Sequence, residues 1–147
     1  MSFFSFLKKK PDPKPKVLPL VALNEWGIFF QTHNLFIYHR FAGTLPWDSS
    51  DYMYFKTYPE ITFFNGKLFG DWQFIAFNGL FLQQWHDTKA TTCSLLFFDL
   101  ETHTVTQVKN NLPTKNWTAQ LINGQEAQFT CTGTNTTVFD ININKVR

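Results

Sequence analysis

From Val17 onward the chain alternates short apolar stretches with turn-forming residues. Runs a few residues long and rich in aromatic residues predict strands rather than helices. Trp26–Gln31 and Leu35–Phe41 flank Thr32-His33-Asn34 and predict a hairpin. Tyr52–Thr57 and Ile61–Phe64 follow as strands, closed by Asn65-Gly66. Trp72–Phe77 and Leu80–His86 are joined by Asn78-Gly79, a pair suited to the positive φ angles of a type I′ turn. Cys93–Leu100 and Thr104–Lys109 predict a hairpin around Glu101-Thr102-His103. Trp117–Ile122 and Ala127–Thr132 predict another around Asn123-Gly124, and Thr137–Ile143 ends the series.

Alternation is cleanest in the last three strands. Trp117, Ala119 and Leu121 share one face against Thr118 and Gln120; Phe129 and Cys131 oppose Gln128 and Thr130; Phe139 and Ile141 oppose Val138 and Asp140. One buried face and one wet face mark antiparallel sheets. In the middle of the chain, Ile75, Phe77, Leu80–Leu82 and Leu95–Phe98 are apolar on both faces. Those strands are expected to be covered on both sides or to meet a partner. The predicted fold is all-β, an antiparallel meander of about ten short strands in hairpins, arranged as a β-sandwich or open barrel. A weak echo offers an alternative. Phe98-Asp99-Leu100 recurs 41 residues later as Phe139-Asp140-Ile141, and Phe77-Asn78-Gly79 recurs 45 later as Ile122-Asn123-Gly124. Propeller blades repeat at such offsets, so incomplete propeller-like repeats of about 41–45 residues are the competing architecture.

Composition agrees with strands. Phe (18) and Thr (17) are abundant, whereas Ala (6) and Glu (4) are scarce. A hydrophobic share of 44% over 147 residues excludes a wholly disordered chain.

Charge divides the chain. Residues 11–16, Pro-Asp-Pro-Lys-Pro-Lys, form an extended spacer, so residues 1–16 read as an arm and 17–147 as a single all-β domain. The arm carries five lysines against Asp12, a net of +4; the remainder has eight basic and ten acidic residues, a net of −2. The overall +2 therefore hides two opposite charges. Phe3, Phe4 and Phe6, followed by Lys8, Lys9 and Lys10, would suit weak peripheral contact with an anionic membrane. The apolar cluster precedes the charges, and no small-residue cleavage site follows, so the arm does not match a secretory signal. No uninterrupted apolar run reaches the ~18 residues of a spanning helix. The expected location is cytoplasmic.

Catalytic and ligand motifs are sparse. None of the five serines lies in Gly-x-Ser-x-Gly, and the four histidines have no metal-ligand spacing. Cys93 and Cys131 have no CxxC partner and fall at apolar strand positions, so two buried reduced thiols are expected. No metal and no cofactor is predicted. A body of net −2 with scattered lysines argues against nucleic acid. Asp48 and Asp51, framing Ser49-Ser50 beside Trp47 and Tyr52, could serve a hydrolase with a histidine brought near by folding.

One charge feature stands out. Residues 48–87 hold five carboxylates against two lysines, among large aromatics. Trp47, Asp48, Asp51, Tyr52, Tyr54, Asp71, Trp72, Trp85 and Asp87 therefore form the predicted partner-binding set: aromatics anchor an interface and charge steers its partner. The leading expectation is a non-enzymatic protein-binding domain. Its most concrete form is a small cytoplasmic bacterial inhibitor of the toxin-immunity type, blocking a basic enzyme through this acidic-aromatic face. A small-ligand-binding β-barrel and the Asp48/Asp51 hydrolase are the alternatives.

Overall fold

The computed structural model describes residues 26–45, 50–86, 92–133 and 135–147. The arm residues Phe3, Phe4, Phe6 and Lys8–Lys10, and the candidates Trp47, Asp48 and Asp87, lie outside them. Among the described residues ten strands form two antiparallel sheets. These are β1 (Gly27–Thr32), β2 (Leu35–Thr44), β3 (Asp51–Tyr58), β4 (Leu68–Ala76), β5 (Gly79–Trp85), β6 (Cys93–Asp99), β7 (Val105–Leu112), β8 (Lys115–Leu121), β9 (Glu126–Thr132) and β10 (Thr136–Asn142). Strands β1 to β7 pair in sequence order in one sheet, and β9 sits between β10 and β8 in the other. The all-β hairpin meander is as the sequence predicts.

The sheets do not close into a barrel, so a ligand cavity inside one has no frame here. A continuous seven-stranded sheet also replaces four-stranded blades. The 41-residue echo places Phe98 at the end of interior strand β6 but Phe139 in the middle of edge strand β10, so it marks no structural repeat.

The described chain divides into two compact units, with β2 and β3 running from one into the other. In the first, residues 26–40 and 55–65, the β1–β2 hairpin turns where Thr32 Oγ1 donates to Asn34 Oδ1 at 2.9 Å. Phe29 packs on Phe55 (4.6 Å between centroids) and His39 (5.6 Å), and Phe64 is buried beside Phe55. Arg40 and Lys56 both lie over the Trp26 ring. The strand predicted over Ile61–Phe64 is instead a 3-10 turn at Thr62–Phe64. Here Ile61 N–H donates to Thr57 Oγ1 and Asn65 N–H to Thr62 O, so local acceptors replace a ladder partner.

The second unit holds residues 41–45, 50–54, 66–86, 92–133 and 135–147. Phe81, Trp85, Cys93, Leu95 and Phe97 face Trp117, Ala127, Phe129 and Cys131 in one core. The opposite side chains of β5 and β6, Leu80, Leu82, Leu96 and Phe98, are buried too. The doubly apolar stretch is therefore buried on both faces in β5 and β6, whereas Ile75 of β4 is 59% exposed. Cys93 and Cys131 are free and buried, and burial pushes the Cys131 thiol up to about 11, leaving it neutral at pH 7.

The β4–β5 turn sits one residue earlier than Asn78-Gly79 predicts. Its positive-φ residues are Phe77 (57°) and Asn78 (54°), and Gly79 already pairs with Ala76. Left-handed geometry is costly for phenylalanine, and neighbouring bonds hold it. Arg147 donates to Phe77 O, and Leu100 N–H donates to Asn78 O. Arg147 also pairs with Asp99 at 2.9 Å, so one guanidinium ties two hairpin turns. Burial raises the Asp99 pKa, but backbone N–H bonds from Glu101 and Thr102, with Arg147, outweigh it and leave the pKa lowered. A depressed carboxylate stabilises the fold above its unfolded pKa and loses that effect as pH falls through the folded value. Asp99→Asn is thus expected to be less stable than wild type at pH 7. The gap should close as the pH drops below the ordinary aspartate value of 3.8, in urea titrations at stepped pH. A gap of constant size would show that the ion pair contributes nothing.

Candidate functional site

Two irregular strands build the most chemically distinctive surface of the second unit. On β4, Phe69 pairs with Gln84 and Gln73 with Leu82, so Gly70, Asp71 and Trp72 all stand opposite Gln83. On β8, Lys115 pairs with Thr132 and Thr118 with Thr130, leaving Asn116 and Trp117 opposite Cys131. Bulges of this kind bend a strand and re-aim its side chains. Asn116 takes φ 52°, a conformation asparagine tolerates better than most residues. The two bulges meet where Trp72 and Trp117 pack edge to face at 5.2 Å.

Between them opens a cleft of about 390 Å³, lined by Asp51, Asp71, Trp72, Gln83, Lys115 and Asn116 among others. Asp51 begins β3, and its Oδ1 accepts from Thr44 Oγ1 at 2.8 Å. Leu45 N–H donates to Ser50 O, fixing where β3 starts. Asp71 is exposed and makes no hydrogen bond or ion pair with the described residues. Trp117 is nearly buried, its indole N–H donating to Pro113 O at 2.6 Å. Gln83 forms the floor, only 5% exposed, with Nε2 donating to Thr114 O (3.3 Å) and Cys93 Sγ (3.4 Å). Gly70 makes room for it: a Cβ there would stand 2.0 Å from Gln83 Oε1.

Of the predicted set, the fold brings Asp51, Asp71 and Trp72 to one cleft. Tyr52, Tyr54 and Trp85 lie elsewhere. Tyr52 packs against the core with its ring across Gly43, where a Cβ would meet the ring at 2.5–3.1 Å. Trp85 is 1% exposed and belongs to the core, which leaves it almost no surface for a partner. Tyr54 lines a second cleft of about 450 Å³ with Lys67, Gln84 and His86. There His86 Nε2 lies 2.7 Å from Ser94 Oγ, but Ser94 is fully buried and its hydroxyl is out of a substrate's reach. No histidine lines the Asp51 cleft. Among the described residues no group of three His, Cys, Asp or Glu could hold a metal ion, and no helix is long and apolar enough to cross a membrane.

Gln83, Lys115, Asn116 and Trp117 enter the site without having been predicted. The available signal was Gly70-Asp71 inside an apolar run, because glycine within a strand marks a bulge. Comparison with protein families, curated proteins and solved structures finds no match.

Proposed function

We propose that this chain is a non-enzymatic binding domain that docks a basic protein partner at the cleft of Asp51, Asp71 and Trp72. The observation that carries this reading is the Asp71 carboxylate, uncommitted among the described residues and set beside an aromatic wall. Exposed carboxylates steer a cationic partner, while a neighbouring aromatic ring supplies contact area that excludes water. An inhibitor that covers a cationic enzyme site, as toxin-immunity proteins do, is the most concrete form of this function.

Charge reversal tests it. Immobilised wild type is expected to retain a basic protein from cell extract, and the Asp51→Lys/Asp71→Lys variant to bind that protein about ten- to a hundredfold more weakly. Most of the loss should appear as slower association with a shallower salt dependence. Equal retention by both chains, at matched thermal midpoints, would refute the assignment.

A further inference from the structure

We propose that Asn65 is a self-modifying site, converted to aspartate or isoaspartate through attack by the backbone nitrogen of Gly66. The chain has three Asn-Gly pairs, at 65–66, 78–79 and 123–124. Glycine suits the reaction because no side chain hinders its nitrogen, and nucleophile and amide already share one chain. In sequence the three pairs are equivalent; in the fold they are not.

At Asn78 the nucleophile is held. Gly79 is buried and paired with Ala76 and Asp99, so its nitrogen moves only if the ladder opens. At Asn123 the amide is held. Its Oδ1 accepts from the N–H groups of Gln125 (2.8 Å) and Glu126 (2.9 Å), and its Nδ2 donates to Glu126 Oε1 at 2.9 Å. Asn65 has neither restraint. Gly66 is exposed, lies outside the strands, and its N–H donates to no described residue. The Asn65 amide makes one bond, from Nδ2 to Glu60 Oε2 at 2.9 Å, and its oxygen has no partner among the described residues. Attack requires rotation about Asn65 ψ, which stands at 128°. Gly66, at φ 73° with nothing within 4 Å of where a Cβ would sit, leaves room for it.

Water is the only co-reactant. The Gly66 nitrogen loses its proton to solvent and bonds to Asn65 Cγ. The Cγ–Nδ2 bond breaks, and Nδ2 takes up a proton and leaves as ammonia. The resulting succinimide adds one water and opens at either carbonyl, giving aspartate or isoaspartate; nothing is oxidised or reduced. The product sets a carboxylate where an amide had donated to Glu60, and like charges that close repel. The turn after β3 thus exchanges a hydrogen bond for a repulsion.

The test is incubation of the full chain at neutral pH, with peptide mapping at intervals to locate aspartate and isoaspartate. Each hydrogen bond that must break slows the reaction about two- to tenfold. Asn65 is therefore expected to convert about tenfold faster than Asn123, and faster still than Asn78. In concentrated urea the three should convert at similar rates. Asn65→Gln, whose longer side chain would have to close a six-membered ring, should lose the early acidic form seen on ion exchange. Asn65→Asp should lower the thermal midpoint by a few degrees, and adding Glu60→Gln should recover that loss. Equal rates in the folded chain, conversion of Asn78 or Asn123 first, or an Asn65 preference that persists in urea would each overturn the inference. An unchanged midpoint in Asn65→Asp would overturn the repulsion at Glu60.

Discussion

Phe129→Ala is expected to destabilise the second unit by about 3–5 kcal/mol, the usual cost of truncating a buried phenylalanine. The residue is 1% exposed and stands where the two sheets meet. Its ring lies 4.9 Å from Phe81, 5.5 Å from Phe139, 6.0 Å from Phe74 and 6.3 Å from Trp72, three of these pairs edge to face and the Phe139 pair stacked. Four aromatic contacts on two sheets cannot collapse together into the space of one missing ring, so a cavity should remain. A domain this size has a total stability on the order of 5–15 kcal/mol, so the loss is a large share of it. The denaturant midpoint should fall sharply, and the thermal midpoint by roughly 10 °C. Val138→Ala, at a side chain 55% exposed, is the control and should change stability by less than about 0.5 kcal/mol. A Phe129→Ala loss no larger than the control's would mean that the sheets are not held together through this ring. Because Trp72 touches Phe129, the same substitution should also weaken binding at the cleft.

Strand identity was legible in the sequence because its signal is local. Period-2 alternation in β8, β9 and β10 depends on neighbours along the chain, and Trp117, Phe129 and Cys131 are buried as that alternation predicts. Turn punctuation located the hairpins for the same reason. Leu121 shows the limit: it shares the inner face yet is 58% exposed.

The site was only partly legible, since it depends on where strands slip against each other. Trp72 and Trp85 look alike in sequence, each a tryptophan beside polar neighbours. The β4 bulge turns Trp72 toward the cleft, while the regular ladder of β5 keeps Trp85 in the core. Pairing Asp51 with Asp71 required knowing that β3 and β4 are neighbours, with Met53 opposite Phe69. Gln83 was hidden for a different reason. A polar residue in an apolar strand suggests its wet face, yet this one lies on the core side, its amide held by Thr114 O.

The β4–β5 turn carries the second large effect. Gly79→Ala is expected to cost about 1–3 kcal/mol or somewhat more, as overpacking in a close-packed core does. An added Cβ would lie 2.1 Å from Phe97 Cζ, 2.2 Å from Cε1 and 3.0 Å from the backbone oxygen of Phe98. The Phe97 ring has little room to retreat, being packed on Phe81 at 4.9 Å and lying under the Arg147 guanidinium. The sequence suggests a different cause, a glycine needed for positive φ after Asn78, and the two causes make different predictions. Backbone strain would cost about 1 kcal/mol whatever sits at position 97. A steric cause couples the two positions. Gly79→Ala in a Phe97→Leu background should then cost much less than in wild type, giving an interaction energy above about 1 kcal/mol in a double-mutant cycle. Additive effects would restore glycine to the turn; coupling would show that Gly79 is kept because a phenylalanine on the neighbouring strand lies across its α-carbon.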